Sequence, residues 1–146
     1  MHRKYDDPQL DTLYNRHKMR SHEFKRIRKV FGGGYSFFEA LKMSRTGSPL
    51  AYYESGQSEI TELNDRCNDL LRVNIERLKK GYFIWFAERT NRYFYAIPDG
   101  ALSITHDRSE KEWHYGRILA VNINIAIKYH EHDRKGWEQI RQLISA

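Results

Sequence analysis

Two histidines, His106 and His114, stand eight positions apart with arginines at Arg92, Arg108 and Arg117 around them. A pair of imidazoles flanking a phosphate can act as general base and general acid, and guanidinium groups can stabilise the charge that develops on the phosphoryl oxygens. That set is sufficient for metal-independent cleavage of RNA, with His106, His114 and Arg117 as its catalytic residues. A second group, His130-Glu131-His132 with Asp133 beside it, puts two rings on one face of an extended strand. Two ligands are half a metal site, and the chain has no CxxC or HExxH pair, so neither a metal nor another cofactor is expected. Cys67 is the lone cysteine, which excludes an intramolecular disulfide, and it reads as a packing residue with no cause for a lowered pKa.

Charge is the stronger signal. The net charge is +6, and residues 1–30 hold nine Lys and Arg against four Asp and Glu, so nearly all of the excess is N-terminal. Arg16, Lys18, Arg20, Lys25, Arg26, Arg28 and Lys29 form a candidate face for a polyanion or an acidic protein, because phosphate contacts from such residues give sequence-independent affinity. The plainer reading is a solvated helix face. Further along, Tyr82, Phe83, Trp85, Phe86, Tyr93, Phe94, Tyr95, Trp113 and Tyr115 could stack exposed bases or fill a core. They are too dense for all of them to be buried. Gly32-Gly33-Gly34 is no phosphate loop, since Lys-Ser/Thr does not follow it and no strand precedes it.

The elements that must position these groups follow from periodicity. Asp7-Pro8 opens a helix whose apolar positions Leu10, Leu13, Tyr14, His17, Phe24, Ile27 and Phe31 form a stripe, with a break near Ser21, and the glycine triplet ends it. Ser36 and Glu39 have capping-box spacing for a short helix to about Arg45. Leu50–Glu54 is either a short strand or irregular. Ile60, Leu63, Cys67, Leu70, Leu71, Ile75 and Leu78 predict one long helix, stopped by Gly81. From Tyr82 the period becomes two: strands at Tyr82–Glu88, Arg92–Ile97 and Ala101–His106, a polar link at Asp107–Lys111, and a long or split strand from Trp113 to Tyr129 with a bulge at Gly116. Asp133 then caps a helix bearing Trp137, Ile140, Leu143 and Ile144. The expected fold is α+β: N-terminal helices, a roughly four-stranded antiparallel sheet and a C-terminal helix. It forms one domain over residues 1–146, with a basic helical segment at 1–34 and a helix-plus-sheet core at 58–146.

At 146 residues with 40% hydrophobic content the chain can bury a core of its own. The first residues lack the apolar stretch of a signal peptide, and no run is long enough to span a membrane, so a cytoplasmic location without membrane contact is expected.

Two resemblances add to this reading. Residues 58–123, a helix followed by antiparallel strands with a basic face, resemble in layout the RelE-like endoribonuclease toxins and the RegB-type phage ribonuclease. That likeness implies the ribonuclease activity described above. Residues 60–144 look like small phage anti-CRISPR proteins, which inhibit RNA-guided nucleases. The likeness lies in Gly81-Tyr82, the segment Leu102-Ser103-Ile104-Thr105-His106-Asp107, the segment Gly116-Arg117-Ile118-Leu119-Ala120-Val121-Asn122-Ile123 and the closing helix. The region 35–57 departs from that pattern, and no functional residue is carried over from it. This resemblance implies a non-enzymatic inhibitor or regulator. The leading expectation is a small basic binding protein that contacts nucleic acid or a protein that handles it, and the competing one is the ribonuclease.

Overall fold

The computed structural model describes residues 11–41 and 46–145. Among the described residues eight antiparallel strands form one sheet: β1 (Tyr14–Asn15), β2 (Ala51–Ser55), β3 (Arg72–Leu78), β4 (Gly81–Glu88), β5 (Asn91–Pro98), β6 (Ser103–Glu110), β7 (Trp113–Ala120) and β8 (Ile123–His130), in spatial order β1-β5-β4-β3-β2-β8-β7-β6. Two meanders, β3-β4-β5 and β6-β7-β8, thus flank β2. The helices are α1 (Ser21–Val30), α2 (Phe37–Leu41), α3 (Ser58–Arg66) and α4 (Arg134–Ser145).

The expected four-stranded sheet is therefore corrected to eight strands: β3 and the division of the last strand add two, β1 and β2 add two more, and β6 runs longer than expected. The stripe from Ile60 to Leu78 is not one helix: α3 ends at Arg66, Asn68 and Asp69 take left-handed backbone angles (φ 55° and 61°), and β3 follows. Leu71, Val73 and Ile75 alternate as a strand while Leu71, Ile75 and Leu78 also match helical spacing, so the stripe fits both periods. Of the two forms expected for Trp113 to Tyr129, the split one is present, as two strands turned at Asn122 (φ 58°). The polar link at 107–111 is largely strand, since β6 runs through to Glu110. The sheet also takes in residues outside 58–146, with β2 at its centre and β1 at one edge.

The N-terminal helix is shorter than expected. Tyr14 pairs with Phe94 and Asn15 with Tyr93 as strand, and helix begins at Ser21. Asp7-Pro8 and residues 42–45, the end of the second expected helix, lie outside the described residues. Where the signals are local they hold. Gly32 and Gly33 leave α1 with φ 83° and 71°, and Ser36 and Glu39 bond reciprocally, Ser36 N–H to Glu39 at 2.9 Å and Glu39 N–H to Ser36 Oγ at 3.1 Å.

Alternation gives the sheet two faces. The inner face sets Ala51, Tyr53, Val73, Ile75, Ile84, Phe86, Tyr95, Ile118, Ile125 and Ile127 against Ile60 and Leu63 of α3 and Trp137 and Ile140 of α4. Trp137 is 1% exposed, stacks on Tyr129, and donates its indole N–H to the Leu50 carbonyl at 3.2 Å. On the outer face α1 lays Phe24, Ile27 and Phe31 on Leu78, Phe83, Trp85 and Phe94. That helix covers only the β3-β4-β5 end. Among the described residues no helix of the chain is long and apolar enough to cross a membrane.

Candidate nucleic-acid interface

The outer face carries a row fixed by strand register, which starts on the strands that α1 leaves open and continues onto β3, β4 and β5. Arg108 of β6 pairs with Tyr115 of β7, Tyr115 with Lys128 of β8, Lys128 with Tyr52 of β2 and Tyr52 with Arg72 of β3. Arg72 then pairs with Ala87 of β4, and Ala87 with Arg92 of β5. Directly paired residues project from the same face of a sheet, so cation and aromatic alternate across seven strands, with Ala87 the one departure. At an inter-strand spacing of about 4.8 Å the row spans about 29 Å.

Its members keep their groups available. Arg72, Arg92 and Arg108 are exposed, and Tyr52, Tyr115 and Lys128 are half-buried. The Arg108 guanidinium lies 3.9 Å over the Tyr115 ring, so the ring face supports the cation while the side chain stays exposed. Trp113, two residues along β7 on the same face, meets Tyr52 edge to face at 6.3 Å and lies 5.4 Å beneath the Lys128 ammonium. An open recess of about 580 Å³ is lined by Glu110, Lys111, Trp113 and Tyr115. Acids are present too: Glu110 sits 3.8 Å from Arg108 and Glu54 3.8 Å from Lys128. Both pairs are long and solvent-accessible, a geometry worth well under about 1 kcal/mol and easily exchanged for a phosphate.

Of the basic N-terminal residues, Arg16 reaches the same surface. Arg16 N–H donates to the Arg92 carbonyl at 2.8 Å, and the Arg16 guanidinium stacks 4.2 Å over Phe24, which extends the row by one cation. Lys18, Arg20, Lys25, Arg26 and Lys29 are exposed on and before α1. Arg28 plays a different part, since its guanidinium is bound to Glu76 at 2.7 Å.

Of the nine strand aromatics singled out from the sequence, Tyr82, Phe83, Phe86, Phe94 and Tyr95 are buried. Trp85 and Tyr93 are half-buried, and the Trp85 indole donates to Glu76 at 3.0 Å. Trp113 and Tyr115 are on the open face. Sequence reasoning missed Tyr52, whose strand pairs with partners some 20 and 76 positions away.

The structure brings His106 and His114 together on the inner face of the β6-β7 hairpin, with ring centroids 5.8 Å apart. Ser109 Oγ bridges them, 2.9 Å from His106 Nε2 and 2.7 Å from His114 Nδ1. His114 Nε2 lies 3.3 Å from Glu131, which is bound to Arg134 at 2.7 Å. The Arg134 guanidinium holds the Glu131 carboxyl below the usual carboxylate range. Arg117 does not join them: it projects from the outer face, bonded to Asn124 at 3.0 Å and Asp107 at 3.3 Å. Arg92 and Arg108 are on that outer face as well. His130 ends β8, 3.5 Å from Glu112, and its ring centroid is 4.0 Å from that of His132. Among the described residues no group of three or more His, Cys, Asp or Glu is arranged to hold a metal ion. Cys67 closes α3, with its thiol donating to the Leu63 carbonyl at 3.3 Å and burial pushing its pKa up.

The chain matches no protein-family model, no curated protein and no solved structure.

Proposed function

We propose that this protein binds single-stranded nucleic acid along the open outer face of its sheet. The observation that carries the reading is the row Arg108-Tyr115-Lys128-Tyr52-Arg72, continued to Arg92 and Arg16. Single-strand binders combine a basic track for the backbone with rings on which successive bases stack, and every base has a face to stack. From Arg108 to Arg72 the two kinds of group alternate at strand spacing. Lys18, Arg20, Lys25, Arg26 and Lys29 widen the positive field at the α1 end and steer the polyanion toward it. A duplex keeps its bases stacked internally, so the rings favour single strands.

The test is fluorescence anisotropy of labelled single-stranded and duplex oligonucleotides of equal length. Single strands are expected to bind more tightly, and Tyr52→Ala and Tyr115→Ala each to weaken them about tenfold, taking about 1–3 kcal/mol per stacked base. Equal affinity of the wild type and the double variant would remove this reading. A tight complex with a nucleic-acid-handling enzyme, formed without any nucleic acid, would favour the inhibitor instead.

A further inference from the structure

With a neutral His114 imidazole, the hydrogen bonds on the inner face of the β6-β7 hairpin admit one consistent set of protons. Glu131, kept charged by Arg134, accepts from His114 Nε2–H. That tautomer leaves His114 Nδ1 as an acceptor for the Ser109 hydroxyl at 2.7 Å. With its own proton committed to His114, Ser109 Oγ accepts from His106 Nε2–H at 2.9 Å. A serine hydroxyl aimed at an imidazole, whose far nitrogen is held by a carboxylate, is an activated nucleophile.

The burial pattern fits those roles. His114 is 7% exposed and stacks on Tyr129, which stacks on Trp137, so its ring is held in place by the core. Ser109 is exposed and can be approached from solvent. Both nitrogens of His114 are engaged, which makes the hydroxyl, rather than the second imidazole, the reactive group.

We propose that Ser109 is the nucleophile of an acyl-transfer site that takes carboxylic esters, with His114 as its general base, Glu131 as the residue that positions the base and His106 as a positioning residue for Oγ. Ser109 Oγ attacks the ester carbonyl carbon as its proton passes to His114 Nδ1. The tetrahedral adduct collapses, the ester C–O bond breaks, and the leaving alkoxide takes the proton from His114. Water then attacks the acyl-serine, giving its proton through His114 back to Ser109 Oγ and releasing the carboxylic acid. The site is on the face of the sheet opposite the cation-aromatic row and stands independently of nucleic-acid binding.

The full chain is incubated with a biotinylated fluorophosphonate, which an activated serine captures by displacing fluoride from phosphorus, and the adduct is mapped by mass spectrometry. Labelling at Ser109 is expected, absent in Ser109→Ala and at least tenfold slower in Glu131→Gln with unchanged circular dichroism. Glu131→Asp should restore part of the rate. His106→Ala should slow labelling, whereas His106→Gln, which keeps a donor to Oγ, should recover it. His114→Gln risks disturbing the ring stack, so Glu131→Gln is the deciding variant. No label on Ser109 in the wild type, or equal rates in wild type and Glu131→Gln, overturns the proposal.

Discussion

Arg28 of α1 donates to the Glu76 carboxylate of β3 at 2.7 Å, and the other oxygen of the same carboxylate accepts from the Trp85 indole at 3.0 Å. One acid therefore ties the helix to the sheet and orients a ring beneath it. Charge-assisted hydrogen bonds are worth about 1.5–3 kcal/mol, but these side chains keep about a quarter to a third of their exposure (26% and 30%), so screening reduces the figure. Arg28→Ala is expected to lower stability by about 1–2 kcal/mol in urea unfolding. Lys25→Ala, at an exposed site on the same helix, should change stability by less than about 0.5 kcal/mol. Equal stability of the two variants would show that the Arg28 contact holds nothing.

The cation-aromatic row sets how binding depends on salt. Arg16, Arg72, Arg92, Arg108 and Lys128 offer five cations, and each phosphate neutralised on a single strand contributes about 0.7 to the slope of log affinity against log salt, so a slope of about −3.5 is expected. Arg72→Ala and Arg92→Ala together should bring it to about −2. Tyr52→Ala should instead lower affinity and leave the slope unchanged, because stacking releases no counterion. Titrations at several salt concentrations separate the two effects, and an unchanged slope in the arginine double variant would place the phosphates elsewhere.

Local signals were legible in the sequence, and non-local ones were not. Ser36 and Glu39 cap a helix three residues apart, Gly32 and Gly33 end one, and Trp137 and Ile140 share a helical face, each within one turn or two. His106 and His114 were legible as neighbours because a hairpin joins their strands. Ser109 was hidden between them by its polar surroundings, which read as a link although the edge strand β6 tolerates such residues on its open side. The row was out of reach altogether, since its middle depends on β2 inserting between the two meanders, a pairing that no local pattern encodes.

Gly116 tests how the hairpin aims its two sets of side chains. It pairs with His106, next to the bulge at Asp107 that turns Arg108 onto the outer face and keeps His106 on the inner one. A Cβ at this position would run into the Thr105 carbonyl oxygen, a backbone atom that cannot swing aside. Gly116→Ala should therefore push β6 away from β7 and cost about 1–3 kcal/mol. Both the affinity for single strands and the reactivity of Ser109 should fall together. Loss of one with the other intact would mean that the bulge does not position both faces.

Alkaline pH should unfold the protein through its buried phenols. Burial pushes the pKa of Tyr82, Tyr95 and Tyr129 up, and the Tyr95 hydroxyl additionally donates to the Glu59 carboxylate, a partner that resists its ionisation. The folded pKa exceeds the unfolded value of about 10, so the native state retains protons that the unfolded chain gives up. The stability these groups contribute is present in full below about pH 10 and is lost as pH rises toward their folded values. Urea midpoints should hold level from about pH 7 to 9 and then fall, with part of the tyrosinate absorbance appearing only as the protein unfolds. Tyr95→Phe has no proton to lose and should make the fall shallower. A variant that declines as steeply as the wild type would show that Tyr95 is not among the groups whose ionisation drives it.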